Sequence, residues 1–264
     1  MYDLIYIYEF EGDMGSYVPT VADPDYVGFW KEAGYSFLFF RTPKDDLLGS
    51  LPVPVRSRMV IRHEDWESGA PLDVFRVGRI AVYPPWMTEP TGDGVRICID
   101  PGMAFGSGFH PSSRGCLQFL DRLFEHERPR LVLDLGTGTG ILGITALKLG
   151  ADVVYAIDCN NLSIDMARKN RALNHSTDLM HLIMGKAEDF LHVPADLLIA
   201  NIHFAVIDAL IRSPQFYTKR HYILSGLLGT EGSRVLDVIS GRLDLIDTWV
   251  ENHWFSYLLK NRDA

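Results

Sequence analysis

The sequence predicts an α/β fold on a mostly parallel sheet, preceded by a smaller α+β module. Three observations predict it. From Leu131 onward, short continuous apolar segments alternate with helix-length segments, the pattern of a parallel sheet covered on both faces. The first apolar segment runs into LVLDLGTGTGILG, Leu131 to Gly143, where Asp134 ends the strand and glycines fall at 136, 138 and 140 before a helical pattern begins. Residues 1 to about 60 have a different texture, with loosely alternating segments rich in tyrosine, isoleucine and phenylalanine.

Bulk properties narrow the function. At 264 residues the chain holds one large domain or two modest ones with a sizeable core. Its 47% hydrophobic and 22% charged residues are ordinary globular values, which argues against wholesale disorder. The net charge of -9 counts against a partner made mainly of phosphate backbone and suits a basic protein substrate. Cys98, Cys116 and Cys159 form no CxxC pair and leave an odd count, so neither a metal cluster nor a disulfide framework is expected. The N-terminal MYDLIYIYEFEGD lacks a basic segment followed by a long apolar one. No run approaches the ~20 apolar residues of a membrane span. These features place the chain in the cytoplasm, away from membranes.

In chain order, Tyr2 to Phe10 and the aromatic run Tyr35 to Phe40 read as strands whose aromatics face a core. Asp25 to Ala33, bracketed by Pro24 and Gly34, reads as a short helix. Leu51-Pro52-Val53-Pro54-Val55 reads as a linker, because proline removes donors a central strand needs. Val74 to Tyr83, interrupted by Gly78, and Val95 to Ile99 follow as strands. Next comes a loop of low polarity, Asp100-Pro101-Gly102-Met103-Ala104-Phe105-Gly106-Ser107-Gly108-Phe109-His110-Pro111-Ser112-Ser113, which suits a segment that closes over a ligand. Ser112 or Ser113 can cap the helix after it, where Cys116, Leu120, Leu123 and Phe124 recur at helical spacing. The strands of the alternating part are Leu131 to Asp134, Val153 to Asp158, His181 to Met184, Asp196 to Ile202 and Tyr222 to Leu227. Leu243 to Val250 and Trp254 to Lys260, parted by Glu251-Asn252-His253, close the chain as an antiparallel hairpin. The division this gives is residues 1–55 as a small α+β domain, 56–95 as linker and connecting strands, and 96–264 as the main α/β domain.

In an open parallel sheet, ligands bind beyond the carboxyl ends of the strands, and the glycine turn at 136 to 140 occupies such an end. Its backbone N–H groups and the helix N-terminus behind it would favour a negatively charged group. Gly138-Thr139-Gly140-Ile141-Leu142-Gly143 is a literal GxGxxG, the dinucleotide pattern. Asp134 extends it to DxGxGxG, and a carboxylate there suits a cationic cofactor while repelling a pyrophosphate. Asp158, ending the next strand, is placed to accept hydrogen bonds from a ribose diol; the plainer alternative is an aspartate capping the helix near Asn161. Asn201 ends the fourth strand in Ala200-Asn201-Ile202-His203-Phe204 and can accept hydrogen bonds from a target amine; the alternative is a strand-end amide satisfying loop backbone.

The DxGxGxG turn resembles the first motif of class I S-adenosylmethionine-dependent methyltransferases. Taken together, Glu64-Asp65-Trp66, Pro84-Pro85-Trp86, the whole loop Asp100 to Ser113, Leu133 to Leu142, Ala146 to Ala151, Ala200-Asn201-Ile202 and Leu224-Ser225-Gly226 resemble the ribosomal protein L11 methyltransferase (PrmA-like) family. The loop is the specific part, since the glycines would fit any class I enzyme. The resemblance implies a Rossmann-like, class I methyltransferase fold with a seven-stranded, mostly parallel sheet and a C-terminal antiparallel hairpin. It makes residues 1–55 a substrate-recognition domain and 96–264 the S-adenosylmethionine-dependent methyltransferase domain. The implied activity is methylation of a lysine or α-amino nitrogen on a protein, with a ribosomal protein as the family's substrate. Ser113, Gly136, Asp158 and Asn201 match the family's cofactor-binding positions, and Phe105, Gly106, Asp134, Gly138 and Glu188 join them as candidates. Asn201 and His110 are the catalytic candidates, Asn201 orienting the amine and Phe105 with His110 closing the site.

Ser107, Ser112 and Ser113 stand where the family carries threonines, which keeps the hydroxyls. His203-Phe204 follows Asn201-Ile202 where the family continues with small or apolar residues, and Lys186 stands where many methyltransferases place an acid for the adenine amine. Asn201-Ile202-His203-Phe204 also loosely resembles the Asn-Pro-Pro-Tyr motif of enzymes that methylate planar amino groups. The rival readings are a dinucleotide enzyme, a methyltransferase of a small-molecule or RNA amine, and a cofactor-binding protein without activity.

Overall fold

The computed structural model describes residues 4–17, 23–32, 34–62, 73–102 and 104–263. Cα packing divides the chain into two compact units, residues 1–72 with 160–162, and residues 73–159 with 163–264. Glu64-Asp65-Trp66 and Met103, both quoted for the family resemblance, lie outside the described residues.

The first unit contains β1 (Leu4–Glu11), β2 (Tyr26–Glu32), β3 (Tyr35–Phe40), α1 (Asp45–Gly49) and β4 (Ser57–Arg62). The strands form an antiparallel sheet in the order β2-β3-β1-β4. Strand alternation sends Tyr8, Phe10, Leu38 and Phe40 to one face, where they pack with Met14 and Leu48. Each large side chain removed from water there contributes roughly 1.5–3 kcal/mol. The helix expected over Asp25 to Ala33 is instead β2, paired with β3 from Tyr26↔Phe40 to Glu32↔Tyr35. Its residues YVGFWKE are aromatic and β-branched around a glycine, which favours a pleated surface over a helix once a partner strand is present. The proline-rich Leu51 to Val55 joins α1 to β4 and packs Leu51, Val53 and Val55 onto the same core.

The second unit opens with β5 (Phe75–Val77), β6 (Ile80–Tyr83) and β7 (Val95–Cys98). β5 is antiparallel and β7 parallel to β6. Then come α2 (Pro111–His126), β8 (Leu131–Leu135), α3 (Ile141–Leu149), β9 (Val153–Asp158), α4 (Asn161–Leu173), β10 (Met180–Met184), β11 (Leu197–Asn201), α5 (Phe204–Arg212), β12 (His221–Leu228), α6 (Gly229–Ile239), β13 (Leu243–Glu251) and β14 (Trp254–Asn261). The sheet runs β10-β9-β8-β11-β12-β14-β13. Its first five strands are parallel, and β14 and β13 form the expected antiparallel hairpin. Continuous apolar strands bury both faces: Val132, Val154, Ile199 and Ile223 pack on one side, and Leu133, Leu198, Tyr222 and Leu224 on the other.

The strand order reverses between β8 and β11, which opens a crevice at their carboxyl ends. The helix after the long loop begins earlier than the serines suggest. Pro111 takes the first helical position, where its missing N–H costs nothing, and His110 becomes the cap. Ser112 and Ser113 therefore lie inside the first turn, both fully buried.

Candidate active site

The glycine turn after β8 is held by its own chain. The N–H groups of Gly136 and Thr137 both donate to the Ile157 carbonyl (2.8 and 2.9 Å), Thr139 N–H donates to the Phe105 carbonyl (3.0 Å) and Gly140 N–H to the Thr137 carbonyl (2.9 Å). Gly138 N–H donates to Asp158 Oδ2 at 3.0 Å, and Gly143 N–H to Asp134 Oδ2 at 3.2 Å. The expectation that these N–H groups favour an anionic ligand is therefore corrected. Five consecutive donors from 136 to 140 are engaged within the protein, and two carboxylates already sit against the turn. A pyrophosphate would meet negative charge and no open donor in this turn.

Positive φ angles of 73° at Gly136 and 56° at Gly138 demand glycine. A Cβ on Gly138 would also lie 2.2 Å from the Phe105 carbonyl oxygen. The loop rests on this turn: Thr139 Oγ1 donates to the Gly106 carbonyl at 2.6 Å. Asn170 on α4 ties both segments, its Nδ2 donating to the carbonyls of Asp100 and Thr139 (2.9 Å each) and its Oδ1 accepting the Asp100 N–H at 2.9 Å.

Above the turn lies a cavity of about 660 Å³ lined by Phe105, His110, Gly136, Gly138, Asp158, Glu188 and Asn201 among others. Those seven are sequence candidates that the fold brings together from five separate segments. Gly106, Ser113 and Asp134 do not line it. Asp134 is buried beneath the turn, accepting from Thr137 Oγ1 at 2.7 Å and from Gly143 N–H. Burial, with the Asp158 charge adding a smaller push, raises its carboxyl to about 6. Gly106 supplies its carbonyl to Thr139, and Ser113 stands behind Asn201, whose Nδ2 donates to Ser113 Oγ at 3.4 Å.

Asn201 Oδ1 is buried with no hydrogen-bond partner, as is Asp134 Oδ1. A buried amide carbonyl without a donor costs about 1–3 kcal/mol, and at Asn201 it adjoins the cavity. At the start of α4, Asn160 Oδ1 accepts the Leu162 N–H at 2.9 Å. His110 Nδ1 accepts the Ser112 N–H at 3.3 Å and lies 2.7 Å from Ser112 Oγ, which assigns the ring proton to Nε2. Burial, reinforced by the Arg114 charge, pushes the His110 imidazole below the ordinary histidine range. The ring is thus neutral at pH 7.

The cavity also takes in Ile157, Ala187, Ile202, Val206, Gly226 and Trp254. None of these was a candidate site residue in sequence, although Ile202 and Gly226 fall in segments that carry the family resemblance. Ile157 and Ile202 sit beside the strand-end candidates Asp158 and Asn201, and Ala187 beside Glu188, so proximity along the chain was a usable signal for these three. Trp254 has no such neighbour, since only the hairpin's pairing brings it to the site.

Residues 48–262 match the family described as Ribosomal protein L11 methyltransferase (PrmA). A ribosomal protein L11 methyltransferase of Thermoanaerobacter sp. (strain X514) is 32% identical over 213 residues, covering 75% of this chain and 65% of that protein. One of Syntrophomonas wolfei subsp. wolfei is 40% identical over 156 residues, covering 57% and 50%. The chain thus spans between half and two thirds of the length of these curated relatives. The crystal structure of a ribosomal protein L11 methylase from Lactobacillus delbrueckii subsp. bulgaricus superposes with a TM-score of 0.61 at 26% identity, covering 72% of this chain and 98% of that one. Among the described residues no helix is long and apolar enough to cross a membrane.

Proposed function

We propose, for a chain that belongs to the ribosomal protein L11 methyltransferase (PrmA) family and has the class I methyltransferase fold, that it transfers methyl groups from S-adenosylmethionine to lysine or α-amino nitrogens of a protein. The observation that carries this reading is the buried, unpaired Asn201 Oδ1 beside a cavity whose glycine turn has no donors open for a pyrophosphate. When bound, the cofactor supplies a methyl group already activated on a sulfonium sulfur.

The residues present fit that group. Asp158 offers a carboxylate to a ribose diol, as its place at the end of β9 suits. Ile157, Ala187 and Ile202 offer an apolar wall to a base, with Glu188 as the acceptor for its amine. Gly136 and Gly138 let the ligand lie close to backbone. Phe105 and Gly106 take part through the loop, Ser113 by holding Asn201, and Asp134 by holding the turn from below.

Asn201 Oδ1 accepts an N–H of the acceptor amine and so aims the nitrogen's lone pair. Removal of water from the site favours the neutral, nucleophilic amine over the ammonium. Such alignment can lower a barrier by ~7–11 kcal/mol, so strong acid or base groups are not needed. His110, with Nδ1 engaged and Nε2 protonated, orients rather than takes a proton. Residues 96–264 perform the transfer and residues 1–55 recognise the substrate, for which the names of the relatives support ribosomal protein L11.

Isothermal titration with S-adenosylmethionine and with NAD tests the reading. Binding of the sulfonium cofactor with none of NAD is expected, and the reverse would end it.

A further inference from the structure

One wall of the cavity is built from three rings that come from two distant parts of the chain. Phe105 and His110 lie on the loop before α2, and Trp254 begins β14. The Phe105 and His110 rings are 5.1 Å apart at 64°, and those of His110 and Trp254 4.7 Å apart at 70°. Rings meeting at such steep angles make a corner rather than a flat stack, and all three line the same cavity.

Trp254 is held in place from two directions. It follows the two-residue turn Asn252-His253, whose φ angles of 48° and 68° are both left-handed, the backbone that matches the twist of a tight hairpin and fixes its register. Across the ladder it pairs with Glu251. That carboxylate is bound by Arg114 of α2, with Nε at 3.1 Å from Oε2 and a second bond to Oε1. Two residues on, Ser256 Oγ lies 2.6 Å from Ser225 Oγ, which donates to the Ser112 carbonyl at 3.1 Å. The hairpin and the start of α2 are thereby fixed to each other around the ring corner.

The charges are distributed unevenly. The carboxylates lining the cavity are Asp158, at the end of β9, and Glu188, just after β10. Trp254 begins β14, on the other side of the strand-order reversal, and the carboxylate opposite it in the hairpin, Glu251, is paired with Arg114 of α2. A lysine or α-amine arriving at the site is a cation. A carboxylate beside it would stabilise the protonated form and oppose reaction. Aromatic faces attract the cation more weakly, through their quadrupole, and so admit it without holding its proton.

We propose that Phe105, His110 and Trp254 form an aromatic corner that receives the acceptor's alkylammonium group, with Trp254 the residue that sets the preference for a cationic amine over a neutral group of the same shape. The proposal deepens the methyltransferase reading and rests on it for the identity of the guest.

Choline and its uncharged carbon isostere, 3,3-dimethyl-1-butanol, probe the corner without any methyl transfer. Ligand-observed NMR titrations of the full chain, of Trp254→Phe and of Trp254→Leu are the measurement, with circular dichroism to establish folding. The wild type is expected to bind choline roughly tenfold more tightly than the isostere. W254F should keep that preference, and W254L, equally folded, should lose it. With ribosomal protein L11 as acceptor, W254L should raise KM more than it lowers kcat. Equal binding of choline and the isostere by the wild type, or an unchanged preference in folded W254L, overturns the proposal. If the wild type prefers choline yet binds no S-adenosylhomocysteine, the corner is supported and the methyltransferase reading falls.

Discussion

Replacing Gly138 with alanine sets a new methyl group 2.2 Å from the Phe105 carbonyl oxygen, far inside contact distance, at a backbone φ of 56°. The left-handed conformation costs a residue with a Cβ about 1–2 kcal/mol. Relief of the clash requires the loop to move off the turn. That sacrifices Thr139 N–H to Phe105 O (3.0 Å) and Thr139 Oγ1 to Gly106 O (2.6 Å), about 1 kcal/mol each. The loss is therefore about 3–4 kcal/mol in the second unit, a large share of an ordinary domain's stability. Urea unfolding followed by tryptophan fluorescence reads the stability, and calorimetric titration reads cofactor affinity. Gly241→Ala is the control, because nothing lies within 4 Å of its Cβ position. The reasoning is refuted if G138A unfolds at the same urea concentration as G241A and binds S-adenosylmethionine equally well.

Other perturbations test separate parts of the site. The Asp134 carboxyl, pushed up to about 6 by burial, lies above the ordinary aspartate value, so its ionisation opposes folding. The contribution of this group to stability is full below pH 4 and falls by about 3 kcal/mol as pH rises to and through 6; the stability difference between Asp134→Asn and the wild type should change by that amount over the range, and a difference that stays constant in chemical denaturation at stepped pH would contradict the assignment. Asn201→Ala should lower kcat on the order of a hundredfold while leaving S-adenosylhomocysteine affinity within a few-fold, and a loss confined to cofactor affinity would remove Asn201 from its place beside the amine. Because His110 is neutral at pH 7, the rate profile should show no inflection near the ordinary histidine value of ~6.5, and His110→Phe should lower the rate without changing the profile's shape.

Much of the fold is written in local pattern. Continuous apolar strands such as Leu197–Asn201, buried on both sides, identify a parallel sheet without reference to anything distant. Residues at strand ends were legible for the same reason: Asp158 and Asn201 follow directly from where their strands stop. The segment 25–33 was not legible, because its aromatic residues become a strand only beside β3. Asp134 reads as a cofactor contact in sequence, and its hydrogen bonds to Thr137 and Gly143 under the turn were not legible, since a side chain's direction depends on which face of β8 is covered. Ser112 and Ser113 look like caps, yet Pro111 shifts the cap to His110. Trp254 reaches the cavity through a pairing of β14 with β12, Leu228↔Trp254, between residues far apart in sequence, and no local signal announces it.

The central claim, that Asn201 and its neighbours present a protein amine to an activated methyl group, is tested most directly by incubating the purified chain with S-adenosylmethionine and ribosomal protein L11 and sequencing the product by mass spectrometry. The account predicts one or more added methyl groups on lysine or α-amino nitrogens, added about a hundredfold more slowly by Asn201→Ala. An unmodified L11 in the presence of a chain that binds the cofactor, or methyl groups that appear equally with N201A, would contradict it.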